Sequence, residues 1–440
     1  MSALLLFAPM WIGAATAEPS KPISIELESY TLDNGLHVVL LEDHSTPAVV
    51  TNLMYRVGSK DEAPGRSGFA HLFEHLMFMG TTRLPGSGFD DLMEGYGGWN
   101  NAWTSEDATD YFDVGPSNLR ATFLWMEADR LDGLSKAMTQ EKLDLQRDVV
   151  RNERRQTSED EPYGVLWLEL PQVMYPAGHP YAHSVIGTHE DLQAASVADV
   201  VSFFDTWYVP NNASLVVAGD IDKAATKAEI ARLFGPLPRR ELPARPTAPS
   251  VDKPAVAVKE LTDQVQTPMT TLLWHTPARL APGDAALDVV ANILGGGRSS
   301  RLYVRLVEGN KAQEVSATQV SQHLTSLFVI DAKPTEGHTI EEIEAAITEE
   351  LGRLAKDGPT PAEMERVKNQ LRYTYLTGLE GIADRALAIN QAWYTTGDPN
   401  TVNQHLSRYE ALSAADIRAA AATLSADRRA IIRVRPEATK

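Results

Sequence analysis

The strongest constraint on the fold is an internal repeat, in which two similar segments begin 217 residues apart, at Ser196 and Ser413. They read SVADVVSFFDTWYVPNNASLVV and SAADIRAAAATLSADRRAIIRV. Each segment predicts a serine that caps a helix, then the helix itself, a turn and a strand. The same offset carries Gly80 onto Gly297. A duplicated unit explains this pattern, so we predict an α+β fold of two homologous domains, each with a mixed sheet and helices.

A proline-rich stretch separates the two copies. It begins at Pro236 and reads PLPRRELPARPTAPSVDKPAVAV. Proline opposes both helices and central strands, which is typical of a linker between domains. The chain has 440 residues, more than one hydrophobic core usually organises. We therefore predict a first domain at residues 18–236, a linker at 237–258 and a second domain at 259–440.

The N-terminal residues have the pattern of a secretory signal. An apolar run from Ala3 to Ala14 is followed by Ala15-Thr16-Ala17, which is typical of a cleavage site. We predict a signal peptide at residues 1–17 and an exported protein, in a bacterial periplasm. The alternative is an uncleaved N-terminal anchor, although the run is short for a membrane span. No later segment of the sequence is long and apolar enough to cross a membrane.

The net charge argues against one class of partner, and the cysteine content excludes one class of metal site. The net charge is −19, from 40 Lys and Arg against 59 Asp and Glu, whereas a nucleic-acid partner requires a basic surface. We therefore predict no nucleic-acid partner. The chain has no cysteine, so disulfides and thiolate metal sites are impossible. Any bound metal must be held by histidines and carboxylates.

One short segment, GFAHLFEHLMFMGT, concentrates ionisable groups in an apolar setting. On a helix, His71, Glu74 and His75 share one side and the apolar residues share the other. Two histidines at positions i and i+4 reach a common ion, with the carboxylate beside them. This is the H-x-x-E-H arrangement of inverted zincins. The alternative is a solvated face with two incidental histidines, and the motif alone does not decide between them.

The repeat offset places Asp288, Ala291 and Asn292 at the three motif positions of the second half. That half therefore lacks the motif. We predict that the first domain carries the chemistry and that the second is an inactive, homologous domain.

Catalytic zinc usually has three protein ligands and keeps a fourth position for water. Glu153, in the segment LDLQRDVVRNERRQTSED, is a candidate for the third ligand. It lies two helical turns after Gln146, on the same face. The alternative is a surface carboxylate on a charged helix, with Glu159 or Glu161 as the ligand instead.

Five motifs in order give the chain a family resemblance: HLFEHLMFMGT, GGWNNAWTSEDATDYF, QRDVVRNERRQ, HPYAHSVIGTHEDL and GGGRSSRLY. The chain resembles the pitrilysin and mitochondrial processing peptidase family of zinc metallopeptidases over almost all residues after the signal. It is most similar to the short bacterial members, whose two-domain chains pair into a clam-shell dimer. The resemblance implies one zinc per chain, bound by His71, His75 and Glu153. It also implies that Glu74 is the general base in peptide hydrolysis.

Family members bind their peptide substrate as an added strand on a sheet edge. The resemblance implies that the segment WNNAWTS supplies this edge and that Asn101 and Ala102 contact the peptide backbone. The alternative is an ordinary hairpin strand. Many members also have a second glutamate seven residues before the metal-binding one. Here that residue is Gln146, which the resemblance places beside the metal ligands without a charge.

The second half departs from the family pattern. Relatives that act alone or as homodimers follow Ser-Ser-Arg-Leu with an arginine and a tyrosine that contact substrate, and these positions are Val307 and Glu314 here. We therefore predict a heterodimer whose homologous second subunit supplies Arg and Tyr. The alternatives are a homodimer in which Arg305 or Arg301 substitutes, and a non-catalytic chaperone or scaffold subunit of the same fold.

Overall fold

The computed structural model describes residues 24–247 and 250–437. The predicted signal peptide, residues 1–17, lies outside the described residues. Within them the chain forms two mixed sheets surrounded by helices, which confirms the predicted α+β class. None of the described helices combines the length and the apolar character that a membrane crossing requires.

The described residues contain eleven strands and fourteen α-helices. The strands are β1 Glu28–Thr31, β2 His37–Glu42, β3 Ala48–Tyr55, β4 Trp99–Thr104, β5 Thr109–Pro116, β6 Ala213–Gly219, β7 Val258–Asp263, β8 Met269–Thr276, β9 Ala312–Val320, β10 Ser326–Pro334 and β11 Arg429–Pro436. The helices are α1 Phe69–Leu76, α2 Gly88–Gly95, α3 Arg120–Gly133, α4 Gln140–Arg154, α5 Gly164–Met174, α6 His189–Ala194, α7 Val197–Trp207, α8 Lys223–Phe234, α9 Asp284–Gly295, α10 Ile340–Asp357, α11 Pro361–Thr377, α12 Ile382–Thr396, α13 Ser407–Glu410 and α14 Ala414–Thr423.

The two sheets share one topology. The first has the strand order β1-β2-β6-β3-β5-β4, and the second has the order β7-β11-β8-β10-β9. The pair β2–β6 is parallel, as is the pair β7–β11, and the other shared pairs are antiparallel. Apart from the additional edge strand β1, the second sheet therefore repeats the first, as the internal sequence repeat predicts.

The core of the first half lies on one face of its sheet. Strand β6 is buried along its whole length, which explains its continuous apolar sequence ASLVVAG. Helices α1, α3 and α7 contribute Phe73, Phe123 and Phe204 to the core on this face. At the start of α7, Ser196 accepts a hydrogen bond from the Asp199 backbone N–H, which is the serine cap that the sequence predicts.

The halves exchange helices across their sheets. Helix α12 belongs to the second half, but its Ala386 and Ile389 pack on the remaining face of the first sheet, against Val216. Helix α5 belongs to the first half, but its Leu166 packs with Leu273 of the second sheet. Each half therefore completes the hydrophobic packing of the other.

A buried polar contact fixes one of these exchanged helices. The Asn390 side chain of α12 donates hydrogen bonds to Asn52 Oδ1 at 2.6 Å and to the Ser214 carbonyl oxygen at 3.2 Å. Strand β7 begins at Val258, the last residue of the predicted linker. The proposed borders at 18–236 and 259–440 stay a prediction, since the packing of both halves crosses them.

Candidate metal centre

Helix α1 begins at a glycine whose conformation the local packing requires. Gly68 has φ of 89°, and a Cβ added there would lie 2.8 Å from the carbonyl oxygen of Ile186. The Gly68 and Ala70 backbone N–H groups donate to the Glu62 carboxylate at 3.0 and 2.7 Å. This carboxylate is buried, and burial raises the pKa of Glu62 well above its ordinary value. Glu62 and Gly68 together set where the helix starts.

The two faces of α1 match the pattern that the sequence predicts. Its apolar side chains are buried in the core of the first half, and they are Phe69, Leu72, Phe73 and Leu76. His71, Glu74 and His75 lie on the other side and are each partly exposed, by 14%, 13% and 23% of their side chains. The apolar face anchors the helix, so the ionisable face is held in a fixed position.

Glu153 reaches this face from α4, the helix that packs against α1. Its Oε2 atom lies 3.2 Å from His71 Nε2 and 3.1 Å from His75 Nε2. One ligand atom from each residue lies within 4.8 Å of the other two, and this is the one such group of His, Asp and Glu among the described residues. The structure thus brings together three residues that are separated by up to 82 positions in sequence.

This donor set fits zinc. Two imidazole nitrogens and one carboxylate oxygen, from two packed helices, are the ligands of many catalytic zinc sites. The alternative carboxylates serve other contacts or lie elsewhere. Glu159 Oε1 lies 3.1 Å from His189 Nε2 and 2.8 Å from Arg154 Nε, and Glu161 is not part of the group.

Glu74 lies between the first sheet and the metal cluster, the group formed by His71, His75 and Glu153. The Thr104 hydroxyl, at the end of β4, donates to Glu74 Oε2 at 2.5 Å, and His71 Nδ1 lies 3.4 Å from the same oxygen. The contact of Thr104 with Glu74 is one that the sequence alone did not predict. Its one signal is the position of Thr104 at the end of the predicted edge segment, WNNAWTS.

The carboxylates change the proton affinity of the cluster. Burial lowers the pKa of His71, but hydrogen bonds and negative charge from Glu153 and Glu74 outweigh burial and raise the pKa to about 9. Hydrogen bonds with His71 and His75 hold the pKa of Glu153 well below its ordinary value. At neutral pH these interactions therefore favour a protonated His71 imidazole beside an ionised Glu153 carboxylate.

Metal uptake should depend on pH for this reason. Zinc binds the neutral imidazole, so it must displace the His71 proton below pH about 9. We expect the affinity of the metal-free protein for zinc to rise about tenfold for each pH unit between about 6 and 8. Titration with zinc against a competing chelator dye, at three pH values, measures this slope. An affinity that is independent of pH after correction for the dye would contradict the His71 assignment.

Gln146 lies on α4, two turns before Glu153, but its side chain points to another neighbour. Its Nε2 donates to Met79 Sδ at 2.8 Å, in the segment that follows α1. Among the described contacts, none joins the Gln146 amide to His71, His75 or Glu153. A direct contact between Gln146 and the metal ligands stays a prediction from the resemblance.

Asn101 and Ala102 lie on β4, which is the last strand of the first sheet. Strand β4 pairs with β5 on one side, and its other side carries no strand of the described chain. The side chain of Asn101 is exposed, and its Oδ1 accepts a hydrogen bond from the Ala102 backbone N–H at 2.9 Å. The predicted substrate residues therefore lie on a free sheet edge. They come shortly before Thr104, the β4 residue that contacts Glu74.

The second half has a counterpart of α1 without its ionisable face. Helix α9 also starts after a glycine in the left-handed conformation, Gly283, with φ of 99°. When the two starting glycines are aligned, the three motif positions fall on Ala286, Val289 and Val290, which are all buried. This alignment differs by two residues from the one that the sequence repeat gives, and neither alignment places an H-x-x-E-H motif in the second half.

The two arginines considered as substitutes in a homodimer are already paired. Arg305 contacts Glu349 and lies 3.3 Å from Glu350, and Arg301 donates to Glu363 at 2.7 and 2.9 Å. A guanidinium held by carboxylates is poorly placed to contact a substrate.

Comparisons with known proteins match two family models to the chain. The model described as Insulinase (Peptidase family M16) matches residues 37–188, and the model described as Peptidase M16 inactive domain matches residues 194–371. The first match contains the whole metal cluster, and the second covers most of the half that lacks it.

Individual relatives are similar to this chain over most of its length. The zinc protease PqqE of Helicobacter pylori is 30% identical over 366 residues, which are 82% of this chain and 81% of that protein. The crystal structure of a protease from Helicobacter pylori matches with a TM-score of 0.86 at 26% identity, over 94% of this chain and 100% of that one.

A third comparison concerns length. The first half of the periplasmic protease PqqL from Escherichia coli matches with a TM-score of 0.76 at 19% identity, over 94% of this chain and 92% of that half. Against the crystal structure of PqqL itself, the same match covers 48% of the PqqL chain. This chain therefore has the fold of about half of PqqL.

Proposed function

This chain belongs to the M16 peptidase family, as its motifs predict, and from that premise we propose that it is a zinc-dependent endopeptidase that hydrolyses unfolded peptides. The observation that carries the proposal is the meeting of His71, His75 and Glu153 beside Glu74. Zinc bound by the first three residues would supply a water molecule of lowered pKa and polarise the peptide carbonyl group.

The remaining chemistry falls to Glu74. Its carboxylate is partly buried, next to the ligand His71 and at the end of β4, where a water molecule and a peptide bond would meet. Glu74 takes a proton from the water molecule as the water oxygen attacks the carbonyl carbon. Glu74 then donates that proton to the leaving amine. The Thr104 hydroxyl fixes one carboxylate oxygen, so the other oxygen remains available for the proton.

The free edge of β4 suits an extended, unfolded substrate. A peptide that adds as a strand satisfies backbone hydrogen bonds along this edge, and this recognition requires little of the peptide sequence. Asn101 and Ala102 lie where the peptide backbone would run. To bind there, the peptide must replace the hydrogen bond between Asn101 Oδ1 and the Ala102 N–H.

A second subunit would complete the enzyme. Val307 and Glu314 stand where substrate-contacting Arg and Tyr are expected, and Glu314 is paired with Lys333 at 2.9 Å. The neighbouring arginines are held by glutamates. PqqL has about twice the length of this chain, so a single PqqL chain is long enough to contain two such units. A heterodimer with a homologous subunit that supplies Arg and Tyr fits these observations.

The place of action would be outside the cytoplasm. The pattern of residues 1–17, an apolar run followed by Ala15-Thr16-Ala17, is typical of a cleaved signal, and the similar protein PqqL is a periplasmic protease. An exported peptidase with a preference for extended backbone would act on unfolded peptides in that compartment.

One pair of variants tests the zinc assignment. Glu153→Gln removes the charged oxygen that faces both histidines, so zinc content and peptide hydrolysis should fall together, by more than about tenfold. Gln146→Ala, on the same helix face, should change both by less, because its amide contacts Met79. Zinc is measured by elemental analysis and hydrolysis with an unfolded protein substrate. Equal losses in the two variants would exclude Glu153 as a specific ligand.

The alternative function is a non-catalytic subunit of the same fold. It has one specific observation in its favour, the replaced Arg and Tyr positions. Zinc bound by the wild-type chain, with no hydrolysis in the presence of any homologous subunit, would support this alternative and reject the peptidase.

A further inference from the structure

A polar cavity of about 360 Å³ lies away from the metal centre. It forms where the end of β3, the proline-rich segment, the β9–β10 turn and the end of α12 meet. Its lining is Arg56, Lys60, Arg245, Pro246, His323, Tyr394, Thr395, Thr396 and Gly397. Both halves and the segment between them contribute, and no residue of the metal cluster is among them.

The lining carries three cationic side chains and no carboxylate. Two carboxylates lie behind it: Lys60 Nζ is 3.2 Å from Asp61 Oδ2 and 3.5 Å from Asp107 Oδ1, and Arg245 is 3.4 Å from Asp61. Arg56 has no carboxylate partner among the described ion pairs. Both carboxylates lie outside the lining, so the charged side chains of the cavity wall are cationic.

Arg56 is held by contacts other than an ion pair. Its guanidinium lies 3.8 Å from the centre of the Trp393 ring, and its Nη2 donates to the Trp393 carbonyl oxygen at 3.0 Å. Its Nε is buried and finds no hydrogen-bond partner among the described residues. Burial lowers the pKa of Arg56, and the charge of Arg245 also lowers it, against an opposing effect of Tyr394. A buried donor without an acceptor is costly, so this side chain favours an additional acceptor.

Two further titratable groups lie near the three cations. Burial lowers the pKa of His323 and the three cations lower it further, against the opposing effect of Asp107, so the ring is largely neutral at pH 7. Burial raises the pKa of Glu106, which lies behind the cavity near Lys60.

We propose that this cavity binds a small anion that carries a phosphate group. Arg56 can offer its unpaired Nε–H to a phosphate oxygen, and Arg245 and Lys60 add positive charge, with Arg245 already donating to the Arg56 carbonyl oxygen and to Asn212. The volume lies in the range of small-molecule sites, about 300–1,000 Å³, and exceeds what a free phosphate ion fills. The phosphate group is therefore carried on a small molecule, as a monoester. Because both halves line the cavity, the bound anion stabilises their contact.

The test uses the full metal-loaded protein and inorganic phosphate as the first probe. Thermal unfolding is followed with increasing phosphate, against sodium chloride at equal ionic strength. We expect a saturable rise in Tm, and Kd by calorimetry should be at least tenfold weaker in Arg245→Gln. The matched control is Arg353→Gln, which removes the same charge from an exposed side chain on α10 and should keep the wild-type affinity.

One further variant and one further ligand separate the possible explanations. Arg245→Lys keeps the charge and should retain more of the affinity than Arg245→Gln, whereas a folding defect would weaken both equally. Glycerol phosphate should bind more tightly than inorganic phosphate if the monoester is the ligand, and equal affinities would assign the site to free phosphate. No saturable effect of either probe beyond chloride, or the same Kd in wild type and Arg245→Gln, would overturn the proposal.

Discussion

Replacement of Glu74 by glutamine is expected to reduce peptide hydrolysis about a thousandfold while the zinc content stays at the wild-type level. Glutamine has the size of glutamate, and its carbonyl oxygen can still accept the Thr104 hydrogen bond that the structure shows. It cannot take a proton from water. The metal ligands are untouched, so the variant separates proton transfer from metal binding.

The experiment requires both readouts on the same sample. Zinc is measured by elemental analysis, and kcat and KM with an unfolded protein substrate. Glu161→Gln is the matched control, because it makes the same chemical change in an exposed residue outside the cluster. We expect a loss in kcat with little change in KM. Hydrolysis at the wild-type rate in Glu74→Gln would show that another group is the base.

Addition of a homologous subunit that carries the missing Arg and Tyr should raise the activity of this chain by about a hundredfold to a thousandfold. Substrate positioning and oxyanion stabilisation by such groups are each worth several kcal/mol of barrier, which corresponds to changes of this size. The isolated chain should bind zinc and cleave peptides poorly. This follows from Val307 and Glu314, and from the pairing of both nearby arginines with glutamates.

The measurement compares the purified chain with the mixed subunits at equal zinc content. Light scattering gives the assembly state in each sample. Arg305→Gln is a useful companion, because a guanidinium that is tied to Glu349 and Glu350 should be dispensable for the activity of the mixture. Full activity from a monomer or homodimer of this chain would exclude the heterodimer, and loss of that activity in Arg305→Gln would identify the substitute.

The sequence predicted those parts of the structure that depend on local spacing. The i, i+4 interval of His71 and His75 determines their common helix face, and the serine cap at Ser196 marks the start of α7. The repeat predicted two related sheets. The contact of Glu153 with α1 depends on the packing of helices that are 82 positions apart in sequence. Helical periodicity therefore made Glu153 a candidate ligand but left Glu159 and Glu161 as alternatives.

Other features left no readable signal in a single sequence. Glu62 caps α1 with a buried carboxylate, and an acidic residue in a loop before a helix looks like any surface residue. Thr104 contacts Glu74 only because β4 lies beside α1. The exchange of α5 and α12 involves ordinary amphipathic helices, whose apolar faces do not specify which sheet they cover. These contacts depend on the tertiary arrangement of distant segments.

The exchanged helices impose an order on biosynthesis. The strands of the first sheet are complete once β6 has been made, but one face of that sheet stays uncovered until residues 382–396 leave the ribosome. During that interval Val39, Val50 and Val216 form a bare apolar surface, which is the kind of surface that promotes aggregation of nascent chains. Folding of the first sheet before α12 is available would therefore leave this apolar face exposed until nearly the whole chain can pack.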